Sequence, residues 1–301
     1  MKRILAIILS LIIILGLVGC NNSTSKESTN QHQTNTNNKD VVANEDYFEW
    51  SSTHDTEIIG YSEEGLKQTE LLIPEKCTSV QGLDENATLE SVSFANPDTE
   101  ILSSTFSNFI NLKKVELPAN LQEIGIYTFN GCCSLKEITI PENVKKIAGE
   151  AFSDCSALQS VNLNENLEVI GANAFSGCSS IKTIAIPDSV IVIEKAAFKK
   201  CSSLEEIIFG KGLETIDEST FRECNSLKNV CLPEGISSLE ASAFAYCELL
   251  ESIYLPESIK NIEMSSLAQT HNIDVYVVKD SYADERLDEL KGNEYFNKQY
   301  Q

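Results

Sequence analysis

The chain has 301 residues, 42% of them hydrophobic, and a formal net charge of -22 at pH 7. This length suits one sizeable domain or two small ones. The acidic balance argues against electrostatic binding to nucleic acid or to anionic membranes, and it permits basic partners and cations.

The amino terminus is typical of an export signal. Lys2 and Arg3 form a short positive region, residues 4–18 are apolar or small, and Gly19 precedes Cys20. The alternative is a membrane-spanning helix, but the run is shorter than the roughly 20 residues that a bilayer needs. The spacing resembles a bacterial lipoprotein signal. That resemblance implies cleavage after Gly19 and a diacylglyceryl group on the Cys20 thiol.

The first 88 residues therefore divide into three parts. We predict a signal peptide at residues 1–19. Residues 20–44 are then the lipidated cysteine and a disordered tether, because Asn, Ser, Thr, Gln and Lys dominate there and no aromatic residue occurs. Residues 45–88 read as an amino-terminal cap of short strands with an irregular first coil, since an open solenoid end exposes its apolar interior.

Residues 89–272 repeat one pattern with a period of 23 residues. The phenylalanines that keep this period are Phe106, Phe129, Phe152, Phe175, Phe198, Phe221 and Phe244. Six cysteines keep it too: Cys132, Cys155, Cys178, Cys201, Cys224 and Cys247. A fixed period of this length is the mark of a solenoid in which each repeat is one coil.

A single unit, residues 135–155, predicts the shape of a coil. Ile138 and Ile140 alternate with polar residues, which indicates a half-buried strand, and Pro141 ends it. Ile147 is inward again, and Phe152 follows a small residue so that its ring enters a stacked column. No coil has a core of its own, so these columns must be buried against neighbouring coils.

The unit L-x-x-I-x-I-P-x-x-V-x-x-I-x-x-x-A-F-x-x-C resembles the BspA-like leucine-rich repeat of bacterial surface proteins, from Leu71 to about Ile262. The resemblance implies a curved leucine-rich-repeat solenoid of the α/β type, dominated by parallel strands with short or helical turns. It also implies a surface protein, because members are generally adhesins or other binding proteins without catalytic activity.

The cysteine column allows two interpretations. Nine cysteines remain after Cys20, which in a secreted protein would suggest disulfides. Six share one repeat position, where coils about 4.8 Å apart would stack them as small buried side chains. We favour free buried thiols, although neighbouring coils are close enough for bridges.

The outward positions of the first strand in each coil suggest a ligand-binding stripe. They are polar in the amino-terminal coils, where Thr139 is one example, and apolar in the later coils. The predicted stripe comprises Ala185, Ile208, Cys231, Tyr254 and Val277. Adjacent apolar residues on an exposed sheet are a candidate contact surface. Alternatively, such residues simply suit strands, or the carboxyl-terminal segment covers them.

A second column is acidic and consists of Glu194, Asp217, Glu240 and Glu263. Like charges at about 5 Å repel by about 0.8 kcal/mol in water, which a divalent cation would relieve. Solvated carboxylates that splay apart are the simpler interpretation.

Residues 273–301 predict a carboxyl-terminal cap of one strand and one helix. The strand covers residues 275–278, Ser281 is a good helix N-cap, and Ala283, Leu287 and Leu290 share one side of the helix that follows. Residues 45–301 thus form one leucine-rich-repeat domain.

Enzymatic chemistry is not indicated. His32, His54 and His271 are the only histidines, none at metal-ligand spacing, and the chain has no nucleophile elbow, phosphate loop or dinucleotide fingerprint. We predict no catalytic residue, no metal and no cofactor.

The sequence as a whole predicts an extracytoplasmic lipoprotein, anchored through Cys20 and exposed at the cell surface, whose solenoid binds a protein or another macromolecule. Adhesion to host or neighbouring cells is the leading hypothesis. A scaffolding lipoprotein of the cell's own envelope is the alternative, and an envelope enzyme a weaker one.

Overall fold

The repeat folds as a stack of coils with two short strands each. The computed structural model describes residues 42–83, 88–263, 265–270, 272–289 and 296–301. In chain order the strands are β1 (Phe48–Trp50), β2 (Glu57–Tyr61), β3 (Glu70–Ile73), β4 (Ser79–Val80), β5 (Ser91–Phe94), β6 (Glu100–Ile101), β7 (Lys114–Val115), β8 (Glu123–Ile124), β9 (Glu137–Thr139), β10 (Lys146–Ile147), β11 (Ser160–Asn162), β12 (Val169–Ile170), β13 (Thr183–Ala185), β14 (Val192–Ile193), β15 (Glu206–Ile208), β16 (Thr215–Ile216), β17 (Asn229–Cys231), β18 (Ser238–Leu239), β19 (Ser252–Tyr254), β20 (Asn261–Ile262), β21 (Ile273–Val277) and β22 (Phe296–Tyr300). Helix α1 is Tyr282–Glu289, and short 3-10 helices lie at Glu45–Tyr47 and Gly65–Lys67.

The strands form two sets along the stack. The odd-numbered strands from β3 to β21, which we call leading strands, form one set. They pair in the groups β3-β5-β7, β9-β11, β13-β15 and β17-β19-β21, and β22 pairs with β21. The even-numbered strands from β2 to β20 form the second set. Apart from β1, which is antiparallel to β2, the pairings in the described residues are parallel. The predicted leucine-rich-repeat solenoid of parallel strands, with about ten coils, is therefore confirmed.

The core lies between the two sets of strands and consists of stacked columns. The seven periodic phenylalanines are fully buried. Their rings stack face to face with centroids 5.3–5.5 Å apart and planes within 11° of parallel. Burying each such side chain contributes about 1.5–3 kcal/mol, so the column is a major source of stability.

Each phenylalanine lies at the centre of a five-residue turn with an unusual backbone. We call this segment, which comprises the phenylalanine with the two residues before it and the two after it, the Phe turn. The first and last residues of the turn have positive φ, as at Glu150 (56°) and Asp154 (59°) around Phe152. The N–H groups of these three residues donate to carbonyls of the next coil at 2.9, 2.7 and 2.8 Å respectively. The Phe turns thus make a third set of hydrogen bonds between coils. The sequence pattern did not predict this set.

The cysteine column lies just after the Phe turns. Each of the six thiols is buried and donates to the carbonyl of the phenylalanine 26 residues earlier, with Sγ···O distances of 3.1–3.3 Å. None of the nine described cysteines forms a disulfide. In this structure the column is therefore a ladder of free thiols, each with a hydrogen-bond acceptor.

The amino-terminal coils are shorter than the rest, as the spacing of Pro74 and Leu89 indicates. Leu72 of β3 lies opposite Ser93 of β5, two residues short of the 23-residue period. Ahead of them, Phe48 packs on Trp50 and Tyr61 with ring centroids 6.3 Å apart. That these elements act as a cap remains our prediction.

The carboxyl-terminal end contains one element that the sequence did not predict. The Ser281 hydroxyl accepts from the Asp284 N–H at 3.3 Å, as expected for the N-cap of α1, and Ala283 and Leu287 are buried. The chain then returns as β22, parallel to β21. Lys298 of β22 points inward and its Nζ lies 2.5 Å from Asp284 Oδ1. An inward charge on the last strand discourages pairing with another chain.

Several predicted features lie outside the described residues. They are the signal peptide at residues 1–19, Cys20, the tether up to residue 41, His32, His271 and Leu290.

Candidate binding face

The outward side chains of the leading strands form a continuous surface, which we call the leading-strand face. In β15, Glu206 and Ile208 point out, while Ile207 between them is 8% exposed and joins the core. The same alternation recurs in β9, β13 and β17, and the two outward residues of β11 are exposed as well. In β19 the outward Ser252 is buried and Tyr254 is half-buried.

The amino-terminal half of the leading-strand face is polar. Glu116, Thr139 and Asn162 occupy the predicted positions and are exposed. They line a shallow depression of about 710 Å³ together with Lys114 and Glu137. Charged and amide groups here are solvated, and this half has no apolar anchor.

The carboxyl-terminal half is apolar, as predicted. Ala185 lies opposite Ile208, and Cys231 lies opposite Tyr254. Ile208 is 57% exposed although it lies within a strand. Ala185 and Cys231 are also exposed, and Tyr254 is half-buried. The structure therefore brings these four residues together in one stripe.

The prediction that Val277 is the fifth member of the stripe is wrong. Tyr254 pairs with Tyr276, and Val277 is fully buried in the core. The last coil is one residue shorter than the period, which shifts β21 and reverses the direction of each side chain. Ile273 and Val275 alternate with polar or aromatic residues and are both buried. This alternation in the sequence could have shown that the outward position is Tyr276.

Tyr254 and Tyr276 are stacked on this face. Their ring centroids are 4.3 Å apart and the planes are within 5° of parallel. Burial and then the neighbouring Tyr276 raise the pKa of Tyr254, so its hydroxyl stays neutral at physiological pH. Burial likewise raises the pKa of the Cys231 thiol, which is therefore a poor nucleophile.

A polar row runs beside the stripe, two residues earlier in each strand. The Ser252 hydroxyl donates to Asn229 Oδ1 at 2.7 Å, and Gln299 Nε2 donates to Asp274 Oδ1 at 3.3 Å. The face thus combines exposed apolar and aromatic groups with carboxylate and amide oxygens. That combination is suited to binding a partner.

The acidic column lies on the second set of strands, away from the stripe. Glu194 Oε2 accepts from the Ala172 N–H at 2.9 Å, and Glu240 Oε1 accepts from the Ser238 hydroxyl at 2.5 Å. Asp217 Oδ1 accepts from the Glu218 N–H at 2.6 Å. Each of these three carboxylates thus has its own hydrogen-bond donor. In the part of the chain that the structure describes, no three His, Cys, Asp or Glu side chains are grouped to hold a metal ion.

His54 is the one histidine within the described ranges. Its Nδ1 lies 3.1 Å from the Thr53 hydroxyl and 3.6 Å from Glu57 Oε2, in the exposed turn between β1 and β2. It lies in neither the stripe nor the acidic column. Across the described residues, no helix has the length and apolar character to cross a membrane.

Among the solved structures that resemble this chain, one supports the fold. A leucine-rich repeat protein from Bacteroides ovatus is 24% identical, with a TM-score of 0.60 over 78% of this chain and 71% of that one. A leucine rich cell surface protein from Faecalibacterium prausnitzii is 20% identical, covering 81% and 96% of the two chains with a TM-score of 0.41. The T. pallidum leucine-rich repeat protein is 20% identical, covering 85% and 97%, with a TM-score of 0.42.

Comparison with protein families is more specific. No match is found among proteins of curated function. The BspA type leucine rich repeat region, in six copies, matches residues 83–205 and 168–284. These ranges cover more than half of the chain, and they include strands β5 to β21, the Phe turns and the cysteine column. The chain therefore belongs to the BspA type leucine-rich repeat family.

Proposed function

We propose that this protein is a bacterial surface lipoprotein that binds a protein or another macromolecule through the carboxyl-terminal half of its leading-strand face. Its role is adhesion to a host surface or a neighbouring cell, and the solenoid acts without catalysis. Membership of the BspA type family supports this proposal, because repeat proteins of this kind generally bind other proteins.

The observation that carries the proposal is the stripe of Ala185, Ile208, Cys231 and Tyr254. An aliphatic side chain that is 57% exposed and a stacked tyrosine pair lie on one face, on either side of Cys231, while the other half of that face is polar. Aromatic and aliphatic groups at the centre of a contact surface contribute most of the binding energy at interfaces. The net charge of -22 favours a partner with a basic surface.

A binding assay with a double variant tests the proposal. Residues 45–301 are applied to host matrix proteins and to bacterial cells, beside Ile208→Ser combined with Tyr254→Ser. We expect saturable binding that the double variant loses, with a thermal melt close to that of the parent. Ile191→Ser is the matched control, because Ile191 is also 57% exposed but lies just before β14 in the second set of strands.

The possible results separate the candidate roles. Equal binding by the double variant and the parent would place the ligand site elsewhere on the solenoid. Co-purification with only the cell's own envelope proteins would instead favour a scaffold. Loss of binding in the Ile191→Ser control as well would mean that the stripe is not specific.

The lipid anchor is proposed from Cys20 and the run before it, and it has a separate test. Cells that produce the full chain are grown with labelled palmitate, and the protein is compared with Cys20→Ser. We expect label on the parent alone and release of the variant into the medium. Membrane retention of an unlabelled Cys20→Ser protein would indicate anchoring through the apolar run of residues 4–18 instead.

A further inference from the structure

The stripe contains a notch at Cys231. Its side chain extends one heavy atom beyond Cβ, whereas Tyr254 in the next coil carries a full ring. Ile208 in the preceding coil is also longer and is 57% exposed. Ile208 and Tyr254 lie one coil on either side of Cys231. The ring face of Tyr254 that is turned away from Tyr276 borders this notch.

The notch suits a flat group. Tyr254 and Tyr276 show that a planar side chain in this column stacks parallel to its neighbour, with centroids 4.3 Å apart. A planar group above Cys231 would lie about 3.5–4.0 Å from the ring face, which is the optimum for carbon contacts. Ile208 would close the opposite side.

The charge around the notch suits a cation. The outward positions two residues before the stripe hold Thr183, Glu206, Asn229, Ser252 and Asp274. This row contains two carboxylates and no base. Glu206 is exposed and makes no ion pair within the described residues.

The described residues already build such a site three times. In each case a cation lies over an aromatic ring and also contacts a carboxylate, as Lys298 does with Tyr300 and Asp284. The Arg222 guanidinium is 4.5 Å from the Tyr246 ring centroid, and its Nε is 3.1 Å from Glu223 Oε1. Lys76 Nζ is 4.0 Å from the Trp50 ring centroid and 2.6 Å from Glu45 Oε2. At Tyr254 the ring and the carboxylates are present, and no cation from the described residues lies over this ring.

We infer that the notch at Cys231 receives an arginine side chain from a basic segment of a protein partner. The guanidinium stacks on Tyr254, and Glu206 and Asp274 supply the opposite charge. Arginine fits better than lysine because its head group is planar and stacks on aromatic rings. This inference rests on the proposed function and names the chemistry of the partner.

Filling the notch tests the inference. The full chain in mild detergent is titrated with a fluorescent oligo-arginine peptide and with a length-matched oligo-lysine peptide at physiological salt. The variant Cys231→Tyr adds a third ring to the existing stack and leaves the net charge unchanged. We expect the Kd for oligo-arginine to rise roughly three- to thirtyfold, the range of one cation–π contact. The Kd for oligo-lysine should change little.

Matched variants complete the design. Cys231→Ser keeps the notch and should bind like the parent. Cys133→Tyr adds a ring at another exposed cysteine, outside the stripe, and should also bind like the parent. If Cys231→Tyr does not fold, Tyr254→Leu removes the ring face while it keeps apolar area, and it should give the same loss.

Three results would overturn the inference. Cys231→Tyr would bind oligo-arginine as tightly as the parent does, or the parent would bind oligo-arginine no more tightly than oligo-lysine. The third is that the ligand whose binding is lost in Cys231→Tyr is a neutral glucose oligosaccharide. None of these would by itself overturn the proposed function. That function fails if the Ile208→Ser, Tyr254→Ser variant still binds its macromolecular ligand, whatever the outcome with Cys231→Tyr.

Discussion

The cysteines of the column combine two properties that few small side chains share. Each fills a buried position beside the phenylalanine stack, and each thiol donates to a phenylalanine carbonyl of the previous coil, as Cys178 does to Phe152 at 3.1 Å. A buried carbonyl that loses a donor is destabilising, and so is the small cavity that replaces sulfur. The column therefore ties neighbouring coils together through side chains as well as through the backbone.

We predict that Cys178→Ala lowers the free energy of unfolding by about 1–2 kcal/mol, the sum of a lost weak hydrogen bond and a small cavity. Urea unfolding followed by circular dichroism measures this change. Cys133→Ala is the control, because Cys133 is exposed and its removal should stay within about 0.5 kcal/mol. Equal effects of the two variants would contradict a role for the column.

The same thiols make stability depend on pH. Burial raises the pKa of Cys132, Cys201 and Cys247 to about 12, and it raises that of the other three column thiols well above 9.0. An unfolded thiol ionises near pH 8.5. Above that pH the unfolded state releases protons that the folded state retains, so stability must fall as pH rises.

We predict a loss of up to about 1.4 kcal/mol per pH unit for each column thiol between pH 9 and 11. Urea unfolding at several pH values gives the slope. The double variant Cys178→Ala, Cys201→Ala should show a smaller slope, because two of these thiols are gone. An identical slope would mean that other groups, such as the tyrosines, account for the pH dependence.

At the scale of the element, the Phe turn combines backbone strain with hydrogen bonding. A left-handed non-glycine residue costs roughly 1–2 kcal/mol, and each turn contains two such positions. Three hydrogen bonds to the next coil and the buried ring offset this strain. Glycine occupies the last position of the turn at Gly131 and Gly177, whereas Lys200 occupies it with a φ of 60°.

We predict that Lys200→Gly raises the free energy of unfolding by about 0.5–1 kcal/mol, because relief of the left-handed strain exceeds the entropy that glycine loses on folding. Lys199→Gly should lower it, since Lys199 is not at a positive-φ position. Thermal unfolding of the two variants gives the signs. Destabilisation by both would mean that the lysine side chain contributes to the turn.

The last strand depends on one carboxylate. Asp284 accepts from Lys298 Nζ at 2.5 Å and from the Tyr300 hydroxyl at 3.3 Å, both in β22. The bond from Lys298 lowers the pKa of the Asp284 carboxyl. A lowered pKa in the folded state means that this stabilisation is present above the unfolded value of about 3.9 and disappears as pH falls below it.

We predict that Asp284→Asn speeds amide hydrogen exchange in residues 296–301 at neutral pH and leaves the central coils unchanged. The parent should show the same local loosening at low pH. Glu289→Gln is the control, because Glu289 is largely exposed where it contacts Arg286. Unaltered exchange in Asp284→Asn would mean that backbone pairing with β21 alone holds β22.

The elements show how far the sequence could lead. The 23-residue period was enough to predict the positions of the leading strands and of the phenylalanine column. Apolar side chains at those positions can be buried only against the neighbouring coils. It could not reveal the left-handed residues of the Phe turn, because the residue type at these positions varies, for example between Glu150 and Ala196. It also could not place β22, whose residues Phe296–Tyr300 lack a strand pattern and are held by tertiary contacts.

The candidate site was predicted in part for a similar reason. Repetition at 23 residues gave Ala185, Ile208, Cys231 and Tyr254, since those coils keep the period. It failed at Val277, where one residue is missing from the coil. A register error of one residue turns a strand over, so the period alone cannot identify the outward side once a coil changes length.

At the scale of the whole molecule, each coil contacts mainly its neighbours. Stability is then a sum of coil and interface contributions, and one full period should be removable. We predict that deletion of residues 158–180, which joins Ala157 to Ile181, leaves a cooperatively folding protein whose urea m-value falls by roughly a tenth. Circular dichroism during urea titration measures it.

A deletion out of phase is the control. Removal of residues 158–170 takes away β11 and β12 but leaves the following Phe turn without its strands. This protein should aggregate or unfold non-cooperatively. Normal folding of both deletions would contradict strict stacking of the columns.

The series arrangement of coils also governs how the molecule carries force. Each coil bonds to the next through hydrogen bonds that run along the stack, from residue to residue about 22 positions on, as Phe152 N–H does to Ala174. Tension between a fixed amino terminus and a ligand held near Tyr254 would load those bonds lengthwise, and in such a geometry they open a few at a time. Each coil that peels away would release up to roughly 80 Å of chain. A ligand held in this way would be linked by an extensible chain that lengthens in steps before it breaks.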